Sequence, residues 1–184
     1  EGVQNIDEII DVSDGIMVAR GDMGVELDEE DIPLVQKDII RKCNLKGKFV
    51  ITATQMLDSM IRNPRPTRAE VTDVANAILD GSSAIMLSGE TAAGNYPVKS
   101  CEMMRKIAVK IEDSLDYKIV VDSTNDEHEI NITNSIAKAT REAALDLDAK
   151  VIIAATTSGL TARNISKFKP KSPIIATTTN EKVR

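Results

Sequence analysis

The chain has 184 residues, of which 42% are hydrophobic, and a formal net charge of −6 at pH 7. Its length allows one large domain or two small ones. The acidic balance and the scarcity of aromatic residues exclude a basic nucleic-acid surface and base stacking on aromatic rings. Apolar runs all fall short of the roughly 20 residues that a transmembrane helix needs. We therefore expect neither a nucleic-acid nor a membrane partner.

Three βα units are predicted in the first part of the chain. Patterns of buried strands at residues 16–19, 49–53 and 84–87 recur about every 35 residues, as in successive strand–helix units. A helix pattern follows each strand, and Thr67 with Glu70 forms the sequence signature of a capping box. This order predicts an α/β fold, either a barrel or a doubly wound sheet.

Polar residues follow each predicted strand. They are Arg20, Gly21 and Asp22 after the first, Thr54 and Gln55 after the second, and Ser88 and Glu90 after the third. Because parallel strands place their carboxyl ends at one edge, we expect these residues to open on one face. Asp22, and less favourably Glu90, is an oxygen ligand of the kind that Mg²⁺ uses with waters and a substrate phosphate. The alternative for each cluster is an ordinary solvated turn.

A polar stretch separates two predicted domains. We assign residues 1–115 to the first domain, 116–129 to a linker and 130–184 to the second. The second domain has too few strands for a finished sheet, and the chain begins without Met. We therefore expect the chain to be a piece of a longer protein.

The second domain is predicted to begin with a helix and to carry a hydroxyl-rich loop. The helix, residues 132–147, is expected to turn Ile136, Thr140, Ala143 and Leu147 inward. The loop combines hydroxyl groups, a glycine and the start of a helix, which together favour anion binding. Its candidate residues are Thr156, Thr157, Ser158, Gly159 and Thr161. The alternative is an ordinary helix cap made by Ser158 or Thr161.

The two cysteines and the single histidine predict no metal site or catalytic triad. Cys43 and Cys101 fall in helical patterns without metal-ligand spacing, so we expect reduced, buried residues of a cytoplasmic protein. His128 lies in a polar stretch and is expected on the surface, which leaves no histidine for a triad.

Four segments, in order along the chain, resemble the pyruvate kinases. They are residues 14–26 (DGIMVARGDMGVE), 51–57 (ITATQML), 63–70 (NPRPTRAE) and 87–92 (LSGETA). The similarity is collinear over residues 1–112 and continues more loosely over 130–184. It implies the last three βα units of a (β/α)8 TIM barrel, followed by a truncated α/β regulatory domain.

The resemblance also implies a glycolytic reaction, in which phosphoenolpyruvate donates its phosphoryl group to ADP with Mg²⁺ (or Mn²⁺) and K⁺. By this resemblance Asp22 holds the divalent metal, and the backbone N–H groups of Gly21 and Asp22 bind the substrate carboxylate. Thr54 assists protonation of the reacting carbon, and Ser88 lies on the nucleotide side. The loop from Thr156 to Thr161 matches the phosphate site of an allosteric effector. A cytoplasmic homotetramer is the implied assembly.

The family pattern Lys-x-Glu-x-x-Glu-Gly is only partly present, because Glu1 matches its second glutamate. The catalytic lysine, the other metal-binding glutamate, the K⁺ ligands and the first five barrel strands are therefore expected outside this sequence. We expect the 184-residue chain alone to have no turnover.

Three other functions stay open at this point. The chain could be an effector-binding module that uses only the threonine-rich loop. It could be an oligomerisation unit, since open barrel edges invite strand pairing. A different barrel enzyme that uses phosphoenolpyruvate is the weakest of the three.

Overall fold

The computed structural model describes residues 1–115 and 128–183. Within these ranges the fold is α/β with parallel sheets, as predicted. The chain divides into two compact units, Glu1–Leu115 and Asp116–Arg184. The predicted linker lies outside the described residues except for its last two positions, His128 and Glu129.

The first unit is built on a three-stranded parallel sheet of order β1-β2-β3. Its strands are β1 (Gly15–Ala19), β2 (Phe49–Ala53) and β3 (Ala84–Met86). Its helices are α1 (Ile6–Val12), α2 (Arg20–Glu26), α3 (Ile32–Lys46), α4 (Arg68–Leu79), α5 (Gly89–Ala92) and α6 (Pro97–Ser114), with a 3-10 turn at Asp58–Ile61. Ala19 pairs with Ala53, and Ala53 pairs with Met86, so the three carboxyl ends are level.

Local signals set the helix boundaries of this unit. The predicted capping box is present: Thr67 Oγ1 accepts from the Glu70 amide, and the Glu70 carboxylate accepts from the Thr67 amide. Helix α3 ends at Gly47, whose left-handed backbone (φ 64°) suits glycine. Apolar side chains beneath these helices form two buried clusters, one around Ile10, Val18 and Ile40 and the other around Met56, Met60 and Val74.

The second unit contains a two-stranded parallel sheet and two helices. They are α7 (Ile132–Asp146), β4 (Ile152–Ala155), α8 (Leu160–Lys167) and β5 (Ile174–Thr177). Its core is a single cluster of alanine and isoleucine side chains with one phenylalanine. The buried members are Ala137, Ala144, Ile152, Ala154, Ile165 and Phe168.

Helix α7 faces the core with residues other than those predicted. Ile136 and Leu147 are 63% and 79% exposed, whereas Ala137 and Ala144 are buried. The buried stripe of α7 consists of Ala137, Arg141 and Ala144 at helical spacing, so small side chains and an arginine face the core in place of the larger apolar ones.

Two further predictions of burial and local structure were wrong. Cys101 is exposed, because α6 turns Ser100, Met104 and Ile107 inward at helical spacing. The predicted turn at Gly21 and Asp22 is the beginning of helix α2. The prediction for Cys43 was correct: it is buried, and burial raises the pKa of its thiol to about 11. Among the described residues, no helix combines the length and apolar character needed to cross a membrane.

Candidate functional site

The carboxyl ends of β1, β2 and β3 lie at one edge of the sheet, which we call the carboxyl edge. The strand register brings Arg20 and Gly21 next to Thr54, and β3 ends two residues before Ser88. The predicted gathering of the three strand ends is thus present in the backbone, and the side chains at this edge define the candidate site.

Gly21 and Thr54 are in direct contact. The Gly21 amide donates to Thr54 Oγ1 over 2.8 Å, and the Thr54 hydroxyl donates to the Ala53 carbonyl over 2.6 Å. These two bonds join the β1–α2 junction to the end of β2 and fix the orientation of the hydroxyl. The Gly21 amide, predicted as a donor to a substrate carboxylate, therefore already has an acceptor in the chain.

The backbone at the end of β2 is in a conformation that glycine usually occupies. Thr54 has φ 70° and the next residue, Gln55, has φ 54°. Left-handed backbone is especially unfavourable for a β-branched residue such as threonine. Strained conformations of this kind persist where surrounding contacts enforce them, and they concentrate at functional sites.

Arg20 supplies several of those contacts. Its Nη2 donates to the Thr54 carbonyl over 2.7 Å and its Nε to the Ala53 carbonyl over 3.4 Å. Its Nη1 pairs with Asp73 Oδ1 of α4 over 2.6 Å. Sequence analysis named Arg20 in a polar cluster but gave it no role. It did not single out Asp73, which lies 53 positions later in the chain.

Asp22 is exposed in the first turn of α2 and forms no hydrogen bond or ion pair with the described residues. A carboxylate in this state has the chemistry of a Mg²⁺ ligand, since Mg²⁺ takes one or two carboxylates with waters and substrate oxygens. The described residues contain no cluster of three or more His, Cys, Asp or Glu side chains suited to a metal. Asp22 thus fits one position of a metal site.

Glu90 does not fit a metal site. Its side chain is 1% exposed, and its two oxygens accept from the amides of Leu57 and Ser88 over 2.9 and 2.8 Å. The carboxylate therefore ties the segment after β2 to the turn after β3. This corrects the prediction of Glu90 as a secondary metal ligand and shows how the half-buried Ser88 is held at the edge.

A groove of about 460 Å³ opens beside the carboxyl edge. Its lining residues are Arg20, Gly21, Gly24, Val25, Glu29, Ile32, Pro33, Gln55 and Asp73. The lining thus includes the Arg20–Asp73 pair and Gln55, which hold or form the turn at Thr54 and Gln55.

A second cavity, of about 540 Å³, lies at the carboxyl ends of β4 and β5, and we call it the threonine pocket. Its lining residues are Ala155, Thr156, Thr157, Ser158, Thr161, Thr177, Thr178 and Thr179. The first five of these come from the predicted loop and its flank, whereas the three threonines at the end of β5 and directly after it were missed. A repeated run of threonines at residues 177–179 was the signal available in the sequence.

The loop of the threonine pocket is closed by Gly159. This residue has φ 82° and precedes α8 without a side-chain cap, and its amide donates to Thr156 Oγ1 over 3.0 Å. The alternative prediction of a cap by Ser158 or Thr161 is therefore wrong. The pocket presents hydroxyl groups and no charged side chain among its lining residues, which suits a ligand bound through phosphate or hydroxyl oxygens.

Comparison with known proteins identifies relatives of the whole chain. The family described as "Pyruvate kinase, barrel domain" matches residues 1–101, and "Pyruvate kinase, alpha/beta domain" matches residues 134–184. Pyruvate kinases of Bacillus licheniformis and Clostridium acetobutylicum are each 57% identical over 183 residues, which is 100% of this chain. The chain spans 31% of the first protein and 39% of the second.

A solved structure agrees with these matches. The crystal structure of a pyruvate kinase from Cryptosporidium parvum superposes with a TM-score of 0.91 at 48% identity, covering 99% of this chain and 37% of that one. Two domain families in the expected order, extensive identity and a shared fold lead to one conclusion. The chain belongs to the pyruvate kinase family.

Proposed function

We propose that the whole protein to which this chain contributes transfers the phosphoryl group of phosphoenolpyruvate to ADP. The bond between phosphorus and the enol oxygen breaks, a bond to a terminal oxygen of ADP forms, and the enolate carbon takes a proton to give pyruvate. The observation that carries this proposal is the contact of the Gly21 amide with the hydroxyl of a strained Thr54 at the carboxyl edge. Strand ends of this kind carry the chemistry of α/β barrels.

In this proposal the residues of the carboxyl edge bind the metal, bind and orient the substrate, and assist protonation of the reacting carbon. Asp22 would hold Mg²⁺ or Mn²⁺, and the bound metal supplies positive charge that stabilises the phosphoryl and enolate oxygens. The amides of Gly21 and Asp22 would bind the substrate carboxylate. A carboxylate on the Gly21 amide would compete with Thr54 Oγ1 for that donor. The Thr54 hydroxyl would then be free to turn toward the reacting carbon and assist its protonation.

The remaining assignments of the reaction are part of the same proposal. Ser88 would lie on the nucleotide side, where ADP and ATP bind, and K⁺ would use ligands outside these 184 residues. We place the protein in the cytoplasm, where the free thiols of Cys43 and Cys101 would stay reduced. A homotetramer without nucleic-acid or membrane partners is the proposed assembly.

A chimaera tests the activity. This chain replaces the matching segment of the Bacillus licheniformis enzyme, and pyruvate formation is followed in a coupled assay. We expect an active chimaera and a loss on the order of a hundredfold in Asp22→Asn, about 2.7 kcal/mol of transition-state stabilisation. Asp113→Asn, an exposed aspartate of α6, is the matched control. A folded but inactive chimaera, or equal activity of the two variants, would contradict the proposal.

The isolated 184-residue chain is expected to give no turnover in the same assay. Asp22 alone offers Mg²⁺ a single carboxylate, and the described residues supply no cluster of further ligands. Pyruvate formation by the isolated chain would show that the residues at hand suffice for the reaction.

A second proposed role is binding of a phosphorylated effector by Thr156, Thr157, Ser158, Gly159 and Thr161. It is supported by the hydroxyl-lined threonine pocket. Calorimetric titration of the chimaera with fructose 1,6-bisphosphate, ribose 5-phosphate and AMP tests it. We expect one of these ligands to bind and Thr156→Val to weaken binding, while Thr140→Val on α7 does not. Heat changes absent for all three ligands would remove this role.

A further inference from the structure

The turn at Thr54 and Gln55 needs an external restraint. Two consecutive residues other than glycine have positive φ there, 70° and 54°. Local bonds account for part of the restraint, because the Thr54 hydroxyl bonds to the Ala53 carbonyl and the Gly21 amide. These bonds hold the side chain. The peptide groups on either side of Thr54 require donors of their own.

Arg20 provides those donors from the first position of α2, directly after the neighbouring strand β1. Its guanidinium donates to the carbonyls of Ala53 and Thr54 and to Met56 Sδ, and thus contacts the backbone before and after the strained position. The planar fork of arginine fixes the relative direction of its N–H groups, which a lysine ammonium does not. Arg20 therefore restrains the position and the twist of the turn.

Asp73 in turn holds the guanidinium group of Arg20 in place. Its Oδ1 accepts from Arg20 Nη1 over 2.6 Å, and the two side chains are 35% and 11% exposed, respectively. Four of the five guanidinium N–H groups of Arg20 have acceptors in the chain. Little donor capacity is left for a substrate, which argues against a direct substrate contact as the main role of Arg20.

We propose that Arg20 and Asp73 are positioning residues that hold the Thr54–Gln55 turn in its left-handed conformation and thereby aim the Thr54 hydroxyl at the substrate. This inference rests on the proposed function for its catalytic consequence. The contacts themselves join the start of α2, the end of β2 and α4, so the orientation of a catalytic hydroxyl depends on a carboxylate that does not touch it.

Kinetics of the chimaera test the catalytic consequence. Asp73→Ala and Arg20→Lys should each lower kcat on the order of tenfold to a hundredfold, because small displacements of a catalytic group have effects of that size. The KM for phosphoenolpyruvate should stay within about threefold of the unsubstituted value, because contacts that bind the substrate and the transition state equally are left unchanged. The double variant should be no worse than Arg20→Lys, because the two residues act as one unit. Asp113→Ala is the control.

Rescue by glycine separates positioning from a general loss of structure. Glycine populates positive φ without the cost that other residues incur. Gln55→Gly should therefore recover part of the kcat lost in Asp73→Ala, whereas Gln55→Ala should recover none. A raised KM with unchanged kcat would make Arg20 a substrate-binding residue, and additive losses without glycine rescue would make the pair merely structural. Either result overturns the proposal.

Amide hydrogen exchange tests the restraint without reference to activity. In the 184-residue chain, Asp73→Ala should speed exchange of the Gly21 amide on the order of tenfold, since its acceptor Thr54 Oγ1 is released. The Ser83 amide, which donates to the Val50 carbonyl at the opposite end of the sheet, should not respond. An inactive chimaera with a responsive Gly21 amide would refute the proposed function alone. An unresponsive Gly21 amide would refute the positioning role.

Discussion

The carboxyl edge and the threonine pocket both lie where parallel strands end, yet they are built differently. At the carboxyl edge, residues other than glycine adopt left-handed backbone, and charged side chains from distant positions hold them there. In the threonine pocket Gly159 takes the left-handed position, and the hydroxyl of Thr156 accepts a hydrogen bond from its amide. The turn at the carboxyl edge depends on tertiary contacts, whereas the loop of the threonine pocket is held by a hydrogen bond within its own short sequence.

This difference matches the two proposed tasks. A catalytic hydroxyl must be held within a narrow range of positions, which needs restraint from several elements. An anion site needs amides and hydroxyl groups that point the same way, and a short loop with one glycine provides them. Substitutions at the carboxyl edge should therefore have larger effects than substitutions in the pocket loop.

The largest effect is expected at Thr54. Thr54→Val keeps the shape of the side chain but removes the acceptor of the Gly21 amide and the proposed proton-relay group. In the chimaera, kcat should fall on the order of a hundredfold or more, the usual contribution of a positioned acid or base. Thr54→Ser, which keeps the hydroxyl, should lose much less. Equal losses in the two variants would show that the hydroxyl has no chemical role.

A smaller effect is expected at the buried Glu90. Glu90→Gln keeps one acceptor oxygen but turns an amide NH₂ toward one of the two backbone donors, Leu57 or Ser88. An unpaired buried N–H group costs about 1–3 kcal/mol of unfolding free energy. Urea unfolding of the 184-residue chain measures this loss, with the exposed Glu102→Gln as control. Identical midpoints would mean that the carboxylate is not needed to join the two segments.

The sequence predicted those parts of the structure that local signals determine. Strands β1 to β3, the capping box at Thr67 and the shared edge followed from apolar runs, capping residues and the βα repeat. The partner of Arg20 lies on another helix, and the burial of Glu90 depends on the packing around it. Neither leaves a periodic signal. The predicted rotation of α7 was wrong for a related reason, because the face that packs on the core carries Ala137, Arg141 and Ala144, which a search for large apolar side chains does not select.

A still smaller effect, confined to the second unit, is expected at Gly159. Its φ of 82° is unfavourable for alanine, and an added Cβ would lie 3.4 Å from Val183 Cγ1. Gly159→Ala should lower the unfolding free energy of this unit by about 1 kcal/mol. Gly24→Ala in helix α2, where φ is not positive, should raise stability by a few tenths of a kcal/mol because alanine favours helix. If Gly159→Ala and Gly24→Ala changed the unfolding free energy in the same direction, the left-handed backbone at Gly159 would not be what requires a glycine in the pocket loop.

The smallest effect is the pH dependence that Glu70 gives to the first unit. Burial acts to raise the pKa of Glu70, but hydrogen bonds from Ser59 and Thr67 outweigh it and lower the pKa below its ordinary value of 4.5. The folded form thus binds the proton less tightly than the unfolded form. The resulting stabilisation is full above pH 4.5 and is lost as the pH falls through the lowered pKa. Urea midpoints between neutral and acid pH should fall less in Glu70→Gln than in the unsubstituted chain, while Glu112→Gln should leave the profile unchanged. Parallel profiles for the unsubstituted chain and both variants would mean that folding does not stabilise the carboxylate of Glu70.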